Sequence, residues 1–380
     1  MNNRRIIDTR RLKDIALHVA RRLGLFALAR RLTRGGLRIL CYHGFELADE
    51  TGFRPKLFMR PADFEGRMAL LAAAGYPVLP LQAALDHLER GTLPPSAVVI
   101  TIDDGFHSVR AGAAPILKRF GFPATVYVTT YYVDKDAPIF RLAVGYIVAF
   151  SPRMRIECGP RPWLPGGELR LDDDEARARL VADIVEYGEQ RCTEDGRQRI
   201  CRELATLLLV DYDALRRTRL VSLMDREELL ELKEFDIDVQ LHTHRHRFPV
   251  DETAATKEIA DNRRAMSALV GSDRFEHFCY PSGVYDPIQW EWLSDMGIAS
   301  ATTCEAGLNY RVTPRFRLQR FLDDSLVSPI TFEAEMSGFL EIARRCRAHL
   351  KRLHSRIVSA LTPPGRPIEE RVGHSQAELL

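Results

Sequence analysis

Short apolar segments alternate with helical patterning along most of the chain, and that alternation restricts the fold more than any other feature. Residues 37–45 (LRILCYHGF), 97–105 (AVVITIDDG), 124–130 (ATVYVTT), 237–243 (IDVQLHT), 277–283 (HFCYPSG), 298–304 (IASATTC) and 316–322 (FRLQRFL) read as strands. Between them, 61–75, 108–121, 252–270 and 286–296 read as helices. Strand–helix alternation of this kind predicts a parallel α/β architecture, and seven strands suit either a doubly wound sheet or an incomplete barrel. In both, functional residues belong at the carboxyl ends of the strands.

One interval breaks the rhythm. Residues 131–225 hold a Pro/Gly-rich patch (CGPRPWLPGGE) followed by charged helical sequence, far longer than the few residues that usually join such elements. An insertion forming a lid or substrate wall is expected there. The chain ends in a segment, 362–380, with Pro, Gly and charge but no periodicity, expected to be a disordered tail.

Charge is distributed unevenly. Residues 1–40 carry eleven Arg and Lys against Asp8 and Asp14, and residues 341–361 carry six against Glu341, although the whole chain has a formal charge of +2. The middle is therefore acidic and both ends basic. Residues 1–36 read as a basic amphipathic helical extension and 331–361 as a basic C-terminal helix. The N-terminal helix either packs on the domain or lies on an anionic membrane surface, two readings the sequence leaves open. Its apolar runs are split by Arg21 and Arg22 and fall short of a membrane span. No nucleic-acid partner is expected, since neither end shows aromatic interleaving and the acidic middle repels phosphate. The seven cysteines include no C-x-x-C pair, which points to free thiols in a reducing compartment.

The strand ends gather the groups that can do chemistry. Asp103 and Asp104 close the second strand, His43 closes the first, HTHRH (His242 to His246) closes the fourth and Ser282-Gly283 closes the fifth. Asp104 with His242 and His246 makes a three-ligand set that leaves positions open for water and substrate, as catalytic metal sites do. A cation also removes the cost of two adjacent carboxylates, leaving Asp103 free to act. Each piece alone has an ordinary reading: DDG as a turn, HTHRH as a solvated loop, His43 as a satisfied histidine.

Together TIDDGF and HTHRH resemble the first (T-F-D-D-G) and second (H-[ST]-x-x-H) motifs of the polysaccharide deacetylases, carbohydrate esterase family four, over about residues 37–325. The resemblance implies a distorted, incomplete (β/α)7 barrel, here with a large insertion and basic helical extensions, and a catalytic domain over 37–330. It implies that Asp103 is the general base and that Asp104, His242 and His246 hold a divalent metal; zinc is expected, with cobalt, nickel or manganese as alternatives. YPSG is similar to the third motif, R-P-P-[YF]-G, which makes the Ser282 amide an oxyanion donor and Tyr280, Pro281 and Gly283 substrate-side residues. The motif's arginine is replaced by Cys279, and Arg320 on the last strand is expected to orient Asp103 instead. The usual C-terminal L-x-H general acid is not evident; His43 in CYHGF is similar to the first-strand histidine of poly-N-acetylglucosamine deacetylases.

The implied reaction is metal-dependent removal of an N-acetyl group from a carbohydrate. The expected setting is the cytoplasm or the inner membrane face, with a lipid-linked or nucleotide-linked sugar of envelope or exopolysaccharide synthesis as substrate. Alternatives on the same scaffold are deformylation, opening of a cyclic amide, or carbohydrate binding without catalysis.

Overall fold

Seven strands form one sheet: β1 (Arg38–Tyr42), β2 (Val98–Ile102), β3 (Ala124–Val128), β4 (Ile237–Leu241), β5 (His277–Cys279), β6 (Ser300–Thr302) and β7 (Phe321–Leu322). They lie in the order β6-β5-β4-β3-β2-β1-β7, and every pairing is parallel. Chain order is thus kept across the sheet until β7, which returns to pair with β1 through Leu40 and Phe321. Three residues earlier, Leu318 bridges Thr302 of β6. The segment 316–322 therefore touches both edges of the sheet, which curls it into a half-barrel and makes it a distorted (β/α) barrel rather than an open doubly wound sheet. This is a computed structural model that describes residues 2–133, 135 and 137–361. The expected disordered tail, 362–380, lies outside the described residues.

β1, β2 and β3 are buried along their whole length, as parallel strands covered on both faces require. Their side chains alternate with period two. Leu40, Tyr42, Ile100 and Ile102 join the large cluster beneath the helices, whereas Ile39, Val99, Tyr127, Cys279 and Leu318 form a second cluster on the other face. Asp103 follows Val99 and Thr101 at alternate positions, so the strand itself directs its carboxylate to that second face.

The insertion is built from helices Phe140–Ala149, Asp174–Arg191, Glu194–Leu208 and Tyr212–Thr218, with an antiparallel pair of strands, Arg155–Cys158 and Gly167–Arg170. Phe140, Val144, Ile147, Ile184, Leu204 and Leu208 belong to the main core. The insertion is therefore packed as a wall, sharing the apolar interior of the sheet.

The N-terminal extension is a hairpin of two helices, α1 (Asn2–Arg22) and α2 (Leu25–Leu32), turned at Gly24 with φ +74°. One face docks: Leu17, Ala20 and Phe26 pack on Ile330, Ala334, Phe339 and Leu340. Ser328 donates to Asp14 at 2.8 Å and Arg21 pairs with Glu333. The C-terminal basic helix expected from 331 is divided into Pro329–Met336 and Phe339–Leu361. Gly338 causes the break, with φ +76° and a position where a Cβ would lie 2.2 Å from the Thr33 hydroxyl. Gly338→Ala is expected to cost about 1–3 kcal/mol, read as a lower denaturant midpoint at unchanged slope. Among the described residues, no helix is long and apolar enough to cross a membrane.

Candidate active site

β2 ends where two carboxylates diverge. Asp103 continues the strand, its amide donating to the Tyr42 carbonyl at 2.8 Å. Asp104 turns away with φ +70°, a left-handed conformation eased by Gly105 beside it at φ +86°. Adjacent residues thereby present their acids in different directions, each with its own partners.

Asp103 is buried and gripped from several strands. Arg320 donates Nη1 to its Oδ1 and Nη2 to its Oδ2, both at 2.7 Å. Arg320 is itself fully buried and also donates to the Thr303 carbonyl at 2.9 Å and the Thr101 hydroxyl at 3.0 Å. The thiols of Cys41 and Cys279 approach Asp103 Oδ2 at 3.5 and 3.3 Å, and His43 Nε2 lies 3.8 Å from the same oxygen. Burial acts to raise the Asp103 pKa, but the Arg320 charge and hydrogen bonds outweigh it and hold the carboxyl well below the usual range. Burial keeps the Cys41 thiol protonated. It also pulls His43 below the ordinary imidazole value, against the opposing pull of Asp103 and Asp104.

Asp104 faces the HTHRH loop. Its Oδ1 lies 3.2 Å from His242 Nε2 and 3.2 Å from His246 Nε2. Left-handed backbone at Thr243 and His246 folds the loop so that the two rings meet, with centroids 4.9 Å apart. His244 instead places Nδ1 2.9 Å from the Thr130 hydroxyl. Helix Glu252–Val270 clamps this loop from behind: Asn262 accepts from the His242 amide at 3.0 Å, and Glu258 accepts from the Arg245 amide at 2.9 Å.

The donor set suits a cation. His242 Nδ1 sits 2.8 Å from the Cys279 carbonyl, which can only accept, so that nitrogen carries the proton. In the neutral ring Nε2 then presents a lone pair towards Asp104. Asp104 Oδ1 is buried and has no hydrogen-bond partner despite these close nitrogens. Three lone-pair donors thus converge on one point, with a backbone carbonyl fixing one ring's tautomer from outside, as is usual around metal-ligating histidines. Asp104, His242 and His246 fit a divalent cation; Cys41, His43 and Asp103 also lie close enough to form a group, but Asp103 there is already neutralised by Arg320.

A cavity of about 380 Å³ opens above Asp104 and His246. The insertion supplies one wall through Tyr131, Tyr132, Ile139 and Leu142, and its guanidinium groups come from Arg141, Arg197, Arg245 and Arg247. Ser282 lies exposed on the turn Pro281–Gly283 after β5, with φ +57°. Tyr280 and Pro281 are buried, and the Tyr280 hydroxyl donates to the Phe316 carbonyl. What this segment can offer a substrate is therefore the turn backbone around Ser282 and Gly283.

The structure thus gathers His43, Asp103, Asp104, His242, His246 and Arg320, and places Ser282 on the neighbouring turn. Sequence reasoning did not single out Asn262, Glu258, Thr101 or the donor role of Cys41 and Cys279. Glu258 and Asn262 left a signal: they are polar residues four apart on the helix face otherwise buried through Ala255, Ile259 and Met266.

Residues 205–301 match the polysaccharide deacetylase family. That stretch contains His242 and His246 but begins after Asp103 and Asp104. No curated protein matches the sequence. Among solved structures, the chain is similar to the deacetylase PplD of Streptococcus pyogenes in complex with acetate, at 16% identity and TM-score 0.52, covering 79% of this chain and 98% of that one. It is similar to a polysaccharide deacetylase from Bacillus cereus, at 15% identity and TM-score 0.50, over 79% of this chain and 69% of that one. It is also similar to a de-N-acetylase from Aggregatibacter actinomycetemcomitans, at 14% identity and TM-score 0.50, over 79% and 99%. At these identities the likeness is one of fold.

Proposed function

We propose, since the chain belongs to the polysaccharide deacetylase family, that it hydrolyses the N-acetyl group of a sugar with the help of a divalent cation held by Asp104, His242 and His246. It is a carbohydrate deacetylase, a hydrolase of carbon–nitrogen bonds. The observation that carries the mechanistic reading is the convergence of those three donors beside a second carboxylate, Asp103, that Arg320 keeps ionised.

A cation bound there supplies Lewis-acid polarisation of water and of the acyl oxygen, with zinc first among the candidates. Asp103 takes the proton from the attacking water. Held so low by Arg320, it accepts from an acidified donor and gives the proton up readily. The Ser282 amide donates to the oxyanion that forms as water adds to the acyl carbon, a contribution of about 3 kcal/mol per donor in other enzymes. His43, on the far side of Asp103 Oδ2, gives its proton to the departing nitrogen as the C–N bond breaks. Its lowered pKa leaves the resting ring neutral, so the proton it passes to nitrogen is the one Asp103, 3.8 Å away, has taken from water. Acetate and a free amino sugar result, and His43 in this role supports a reading of the chain as similar to the first-strand-histidine subgroup.

The finer substrate reading is a lipid-linked or nucleotide-linked sugar. The guanidinium groups of Arg141, Arg197, Arg245 and Arg247 line the cavity and support it: each is paired with a carboxylate (Glu189, Glu194 or Glu258) yet keeps further N–H donors, which a sugar carried on phosphate can accept from. Seven free cysteines support a reducing, cytoplasmic setting.

The test is mass-spectrometric: acetate and free amine are followed on N-acetylated sugars, free, nucleotide-linked and lipid-linked, after chelation and after each metal is restored. Acetate release that chelation abolishes and one metal restores is the expected result, with Asp104→Ala failing to retain that metal. Formate release instead would redirect the reading to deformylation, and activity indifferent to chelation would remove the cation.

A further inference from the structure

The docked hairpin leaves its other face uncovered, and that face is unusually apolar. Leu12, Ile15 and Val19 follow one another at helical spacing along α1, Leu23 continues the row in the turn after it, and Leu28 and Leu32 share one face of α2. They are 61%, 60%, 52%, 70%, 53% and 68% exposed respectively. Single exposed leucines are ordinary, but a stripe continuing across two packed helices marks an interaction surface. Packing of the opposite face through Leu17, Ala20 and Phe26 fixes the stripe's orientation.

Charge identifies the partner. Exposed Arg11, Lys13 and Arg22 border the stripe on α1, and exposed Arg31 borders it on α2. Beside α2, the C-terminal helix Phe339–Leu361 adds exposed Arg347, Lys351 and Arg352. A second copy meeting this surface about a two-fold axis would set basic borders against basic borders. An anionic lipid surface instead satisfies both features, taking the leucines into its acyl boundary while its headgroups meet the guanidinium and ammonium groups.

We propose that the α1–α2 hairpin is a monotopic docking surface for an anionic bilayer, inserting Leu12, Ile15, Val19, Leu23, Leu28 and Leu32 without crossing it. The hairpin runs along the barrel from one rim to the other: Arg30 of α2 reaches the Ala74 and Gly75 carbonyls and Ser96, just before the amino end of β2. Asp14 of α1 is bonded to Ser328, on the segment that leaves the carboxyl end of β7, and the carboxyl end of β2 in the same parallel sheet carries Asp103 and Asp104. Docking does not depend on the chemistry assigned to the cavity.

The experiment is co-sedimentation of the full chain with phosphatidylcholine vesicles, with and without phosphatidylglycerol, across a salt series. Binding is expected to require phosphatidylglycerol and to weaken with salt. Paired substitution Ile15→Asp with Leu28→Asp, and separately Arg11→Glu with Arg22→Glu, should each lower binding at least about tenfold. Both variants should keep the melting temperature and the acetate release from a soluble substrate, since neither pair touches the cavity. Failure to bind anionic vesicles overturns the proposal, as does binding that both pairs leave intact. A wild-type dimer that Ile15→Asp with Leu28→Asp converts to monomer, with no vesicle binding by either, would assign the stripe to a second copy.

Discussion

Asp103→Asn is expected to lower kcat by about 10³-fold, within the range a positioned general base contributes, while KM changes little. Asparagine keeps the shape of the side chain and one acceptor for Arg320, so the surrounding strands stay in place. It cannot take a proton from water. The same change removes the negative partner of a guanidinium that is fully buried, so a lower melting temperature accompanies the kinetic loss. Kinetics measured well below that temperature, on protein checked as folded by circular dichroism, separate the two effects. Wild-type turnover in folded Asp103→Asn would remove Asp103 as the base and leave it a purely structural anchor for Arg320.

The parallel architecture was legible because parallel strands are continuous apolar runs, and the ends of such runs stand out when they carry Asp, His or Ser. Asp103, Asp104, His43 and the HTHRH loop were visible for that local reason. The pairing of His242 and His246 with Asp104 was named from the sequence, but its physical cause was not local: it follows from left-handed backbone at Thr243 and His246 and from the bond between His244 and Thr130. The choice between sheet and barrel depended on pairings far apart in sequence, Thr302 with Leu318 and Leu40 with Phe321. Those two pairings place Arg320 at the seam between the edges. Its arrival at Asp103 could be expected from the missing motif arginine, but not its contacts with Thr101 and Thr303. Cys41 and Cys279 were counted as free thiols with no role, because a weak S–H donor has no spacing rule to reveal it. The insertion's length was plain, yet its fusion with the main core required knowing that Phe140 and Ile184 face inward.

Arg320→Met is expected to show the largest loss of stability, about 3–5 kcal/mol, because it leaves the buried Asp103 without a countercharge. Arginine here fills three further roles at once, donating to Thr303, Thr101 and the Cys279 sulfur. Arg320→Lys should therefore recover only part of the loss, since an ammonium cannot span both oxygens. A pH series tells this account from a simple packing defect. In the wild type the folded Asp103 pKa is depressed below the unfolded value of about 3.9. That pair contributes fully above the unfolded pKa and is lost as pH falls through the folded one. In Arg320→Met burial, the largest influence on the carboxyl, is opposed only by the weaker pull of His242 and His43, so its folded pKa should rise above about 3.9. The sign then reverses: the variant should gain stability as pH falls from neutral through its raised folded pKa towards the unfolded value. Unfolding free energies by denaturant titration from neutral to mildly acidic pH measure this directly. A difference between wild type and variant that narrows on acidification is the expected outcome; a constant difference would mean that Arg320 supports the seam by packing and not by its charge. In the kinetics, Arg320→Met should lower kcat with little change in KM, as expected for a residue that positions Asp103 and never meets the sugar. Combined with Asp103→Asn, the double variant should be far less than additive in both stability and kcat, because each single change already breaks the same pair.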